Sequence, residues 1–173
     1  MILDGGLILM HGGAMALVTS SIIAGLLRHN PRLFLKHFPD KLRATQPPLS
    51  KRETVVGTLL GLPLFAALVG FPVWSALEFA GTGADALSIW SHAFLVGMTA
   101  NLVDWLVLDE LCLGVGKPRW ALPPGATWAE ALPFEHGRHF ADFLKGVILF
   151  AVVAALAVGI VMLVRPASSA GVV

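Results

Sequence analysis

The chain has 173 residues, 56% of them hydrophobic and 13% charged, with a mean hydropathy of +0.78. Soluble domains carry about 25% charged residues, so this is the composition of a membrane protein. Lys and Arg number 12 against 11 Asp and Glu, which leaves no basic field for nucleic acid, and the single cysteine, Cys112, excludes an intrachain disulfide framework and any four-cysteine metal site.

Apolar stretches of spanning length predict an all-α polytopic membrane protein, a single integral domain over residues 1–173 built as an antiparallel bundle of four transmembrane helices. The spans fall near 3–27, 54–77, 87–111 and 140–164, with loops 28–53 and 112–139 on one side. At about 1.5 Å per residue, each is long enough to cross a hydrocarbon core of about 30 Å. The first span is interrupted only by Asp4 and His11. It reads as a retained helix, because an acid stands where a cleaved leader carries a base and Arg28 follows as a stop-transfer flank. Pro63 and Pro72 predict bends in the second span. Small residues recur at intervals of four: Gly12, Ala16, Ser20 and Ala24; Gly57 and Gly61; Ala93, Gly97 and Asn101; Ala151, Ala155 and Gly159. Such stripes let helix backbones approach where lipid removes the hydrophobic drive for association.

In the first loop, Asn30-Pro31 reads as an N-cap followed by proline at the first helical position. The short basic, aromatic, amphipathic helix that follows, ended by Pro39, predicts an interfacial segment with membrane lipids as its partner. Arg28, Arg32, Lys36, Lys41, Arg43, Lys51 and Arg52 in this loop, with Lys117, Arg119 and Arg138 in the other long one, put both on the cytoplasmic side of the plasma membrane and both termini outside. Arg165 is the exception at the outer end of the fourth span. The loop 112–139 is rich in Gly and Pro, carries Trp120 and Trp128, and holds a capping-box pattern from Thr127 to Glu130. It is long enough to fold back over the inner mouth of the bundle.

Ionisable residues within spans are costly unless paired or hydrated, so they point to function. An inner group comes from the end of span three (Asn101, Asp104, Asp109, Glu110) and the start of span four (Glu135, His136, Arg138, His139, Asp142, Lys145). Asn101 and Asp104 lie about 60° apart on an α-helix and share a face, and Asp104 and Lys145 each sit about 7 Å inside the membrane edge. An Asp104–Lys145 ion pair fixing the helix register is the simplest expectation. The sharper one is a polar pocket at the cytoplasmic leaflet that binds or processes a lipid-like or isoprenoid-like ligand. His139 would act there as a general base, with Asp104 and Asp109 orienting it or holding a cation, while Arg119, Arg138 and Lys145 receive an anionic headgroup. Asn101, His136 and Asp142 complete the candidate ligand-binding set. No cofactor is identified. His136, His139 and Asp142 are ligand types for zinc or iron, and Asp104 and Asp109 for magnesium, but neither spacing is a specific signature. Glu135-His136-Gly137-Arg138-His139 lacks the spacing of a His-Glu-x-x-His metalloprotease, so no metal enters the reading.

An outer pair, His11 and His92, lies about 12 Å and about 8 Å deep on the opposite side, where two imidazoles on different helices could ligate a b-type haem or bind a quinone. Pairing of His11 with Glu78 is the structural alternative. At the level of the whole chain, the alternative to a ligand-binding protein is a non-enzymatic subunit or assembly partner of a membrane complex, or a homo-oligomer, whose polar cluster is structural.

Overall fold

The structure is a computed structural model that describes residues 3–164; Arg165 lies outside the described residues. Among them the regular structure is entirely helical, and four helices are long and apolar enough to cross a membrane. These are α1 (Gly5–His29), α3 (Lys51–Ala80), α4 (Ala86–Val103) with its continuation Asp104–Gly116, and α5 (His136–Val164), while α2 is the short helix Asp40–Thr45. α4 packs on α1, α3 and α5.

Two apolar clusters hold the long helices together. Towards the α3–α4 turn, Ala76, Phe79 and Ala80 meet Ile89 and Ala93 of α4 and Ala154, Ala157 and Val161 of α5. Deeper along α4, Val96 and Ala100 meet Met15 and Ala16 of α1 and Phe150 of α5. Small residues do set the closest approaches, though not all of those expected. A Cβ at Gly97 would overlap the Phe150 ring, and one at Gly146 would overlap the Asn101 amide. On α5 the expected Ala151, Ala155 and Gly159 are not the contact stripe: Ala155 and Gly159 face outward, and Val153, Ala154, Ala157 and Val161 are buried instead. Spacing alone leaves the phase of a helix undetermined when nearly every face is apolar. α3 runs unbroken through Pro63 and Pro72. Only 6% of its most apolar stretch is buried, against 28% in α5, so its outer face is left to the surrounding solvent. Exposed Leu59, Leu62 and Phe65 on that face suit lipid rather than water.

The first loop is more ordered than its pattern suggests. Asn30 accepts a hydrogen bond from the Arg32 amide and caps a 3-10 helix, Pro31–His37. Seven residues between two prolines are too few for a stable α-helix, and the tighter winding satisfies their backbone groups locally. Arg32 is not free for lipid headgroups. Its guanidinium donates to Glu53 at 2.8 Å and to the carbonyls of Pro47 and Pro48. Glu53 also accepts from Asn30 and closes a capping box with Ser50 at the start of α3. In α2, Leu42 is fully buried and forms a small core with Leu122 and Ala131, flanked by Phe38, Ala126 and Trp128. The two long loops therefore pack on each other. The Thr127–Glu130 pattern makes a single turn, with Glu130 accepting from the Thr127 amide at 2.7 Å and the Ala131 amide donating to the Thr127 carbonyl at 3.3 Å.

Candidate functional site

Beyond Val103 the helix widens into a π-helical segment, Asp104–Gly116, with i→i+5 hydrogen bonds. In an α-helix, residues five apart point about 140° away from each other. In the wider π turn they come much nearer to one face, which brings Asp104 and Asp109, and likewise Leu108 and Leu113, to one wall. Those four side chains line a cavity of about 270 Å³.

The rest of the wall comes from every other long helix and from both loops. α1 contributes Ile23 and Leu27, and α3 contributes Leu64. The first loop adds Phe34, His37, Phe38 and Pro39; the second adds Trp128, Ala131, Phe134 and Glu135. His139 and Asp142 complete it from α5.

Within this space His139 is nearly buried and its Nδ1 lies 2.9 Å from Asp109 Oδ2, with Phe134 stacked flat on the imidazole at 4.6 Å. A carboxylate only accepts, so it holds the ring proton on Nδ1 and leaves Nε2 as the basic nitrogen. Across the cavity, His37 Nδ1 lies 3.3 Å from Asp142 Oδ2. Burial, with Lys36 beside it, pushes the His37 pKa below its ordinary 6.5 despite Asp142, so this imidazole is neutral at pH 7. Asp104 lines the cavity and accepts no hydrogen bond from any described residue.

The candidate residues divide. Asp104, Asp109, His139 and Asp142 come together at the cavity, whereas Asn101, Arg119, His136, Arg138 and Lys145 are not in its wall. Asn101 clamps two helices, its Nδ2 donating to the Phe143 carbonyl at 3.0 Å. His136 is exposed and bonds Glu110 at 2.6 Å, away from His139 and Asp142. Arg138 straps the first loop to the start of α5, bonding the Phe38 carbonyl at 2.9 Å and Glu135 at 2.9 Å. The expected Asp104–Lys145 pair does not form. Lys145 is 75% exposed and pairs with Asp142, three residues away on its own helix, where both side chains share a face. The cations expected to receive an anionic headgroup are thus outside the wall. His37 and the rings Phe34, Phe38, Trp128 and Phe134 were not foreseen as part of the site. The clue was the interruption of the first loop by prolines, which turns its aromatic helix back onto the other helices.

At the opposite end, His11 and His92 do meet, through α3. Ser75 Oγ lies 2.8 Å from His11 Nδ1 and 2.8 Å from His92 Nε2. His92 is fully buried, stacked on Phe79 at 4.3 Å, and His11 Nε2 lies 3.6 Å from Glu78. These residues do not fit a haem held between two imidazoles, because the Ser75 hydroxyl lies at hydrogen-bond distance from both rings, between the nitrogens that would ligate the iron.

Comparison with protein-family models, with curated proteins and with solved structures finds no match.

Proposed function

We propose that the chain is a multi-pass protein of the plasma membrane, an antiparallel four-helix bundle with both termini outside, that holds the head of a lipid-like or isoprenoid-like ligand in the cavity at its cytoplasmic end. One observation carries this reading: all four long helices and both loops contribute side chains to one partly polar hollow, which has apolar and aromatic walls with a few carboxylates and imidazoles among them. The basic loops lie at this same end, which supports the cytoplasmic side. A cavity of about 270 Å³ suits a head with its first carbons and not a whole lipid. Ile23 and Leu27 on α1 and Leu64 on the thinly covered α3 give the tail an apolar way out towards the bilayer. His139, with its proton fixed on Nδ1 by Asp109, equips the site to accept a proton from a bound group.

Native mass spectrometry of the chain released from mild detergent tests the reading. A specific amphiphile retained by the wild type, and lost from Leu113→Trp with its larger ring at the cavity wall, is the expected result. A wild type that carries no specific amphiphile, and takes none up from a lipid extract, refutes it. That outcome favours the assembly-partner alternative, whose support is that Asn101 and the His11–Ser75–His92 chain hold helices together.

A further inference from the structure

The wall of the cavity is one-sided in charge. Asp104, Asp109, Glu135 and Asp142 face it, and no Lys or Arg does. Three of these carboxylates have partners: Asp109 has His139, Glu135 has Arg138, and Asp142 has Lys145 and His37. Asp104 has none among the described residues. A carboxylate left alone in an apolar enclosure is costly, and either a bound proton or a matching positive charge offsets that cost. The neutral His37 does not supply one. The carboxylates do not gather as a chelate either: among the described residues no group of three or more His, Cys, Asp or Glu is placed to hold a metal ion. The remaining wall is apolar and includes four aromatic side chains, Phe34, Phe38, Trp128 and Phe134, a kind of group that attracts a cation on a carbon chain.

Resting on the ligand-binding reading above, we propose that the ligand is a monocationic amphiphile, a long-chain amine, whose ammonium group sits beside Asp104 among the aromatic rings. Three ammonium hydrogens match an acceptor-only carboxylate, and the first methylenes of the chain pack along Leu108 and Leu113. An anionic head would face four carboxylates with no lysine or arginine among the described residues of the wall to receive it.

The full chain in a non-ionic maltoside detergent at pH 7.5 is titrated with dodecylamine, dodecanol and dodecanoate. Binding is read from the thermal unfolding midpoint and from tryptophan fluorescence, since Trp128 lines the cavity. Dodecylamine is expected to bind saturably, about tenfold or more tighter than dodecanoate. Asp104→Asn is expected to weaken the amine by about tenfold, which is about 1.4 kcal/mol, while leaving dodecanol binding unchanged. Dodecanoate binding as tightly as the amine, or a folded Asp104→Asn protein with unchanged amine affinity, overturns the assignment. Should that variant not fold, the order of the three probes on the wild type decides alone. Dodecanol binding with no advantage for the amine removes only the head-group assignment. Failure of all three probes removes the ligand-binding reading with it. Stabilisation by calcium chloride alone, in competition with the amine, overturns the proposal in favour of a metal site.

Discussion

Replacing Ser75 by alanine takes a single oxygen out of the protein interior and breaks two hydrogen bonds, because its hydroxyl lies 2.8 Å from both His11 Nδ1 and His92 Nε2. Neither imidazole can turn to water: His11 is 2% exposed and His92 is fully buried and held flat on Phe79. His92 Nδ1 already has no partner, so the substitution leaves that ring with none at all. Side-chain hydrogen bonds between membrane helices contribute about 0.6 kcal/mol each on average and up to about 1.7. Two of them put the expected loss at about 1–3 kcal/mol. Unfolding in mixed detergent micelles measures it, and the double variant with His92→Phe, which keeps a ring against Phe79, isolates the Ser75–His92 coupling. In that background Ser75→Ala is expected to cost about half as much, since only the bond to His11 remains to be lost. A Ser75→Ala protein within about 0.3 kcal/mol of the wild type would refute the view that this chain ties α1, α3 and α4 together.

Gly97→Ala is expected to destabilise by about 1–3 kcal/mol, because the added methyl overlaps the buried Phe150 ring, and Phe150→Leu in the same chain should recover part of the loss in the same unfolding assay. The lowered pKa of His37 gives acid sensitivity with a definite sign. The unfolded chain binds a proton near pH 6.5 and the folded chain only at lower pH, so stability is full above that value, falls as pH drops through it, and levels off below the folded pKa. Unfolding midpoints measured from pH 8 to pH 5 should show that slope reduced in His37→Gln, and an unchanged slope would count against burial of this imidazole.

The four long apolar helices were legible to within a few residues because about 20 apolar residues in a row are long enough to cross a membrane as a helix. The cavity was legible only in part. Asp104, Asp109, His139 and Asp142 stood out as ionisable groups in apolar surroundings, and they do meet. Their neighbours did not follow from the pattern. Arg119, Arg138 and Lys145 were expected at the site because they are close in sequence to its acids. A long basic side chain instead takes whichever acceptor its helix turn or loop presents, as Lys145 does with Asp142 and Arg138 with the Phe38 carbonyl.

Apolar content is a property of the chain that survives any rearrangement of its helices, and from it the number of helices long enough to span a membrane, the loop lengths and the locations of rare polar groups could be read directly. Helix phase, the π register and the docking of one loop on the other could not. Each is chosen by a competition among packings that differ by a few side-chain contacts, on helices apolar around most of their circumference. The π register that brings Asp109 round towards Asp104, and the fold of the first loop that carries His37 and Phe34 to the cavity, exist only once the four helices and both loops are in contact.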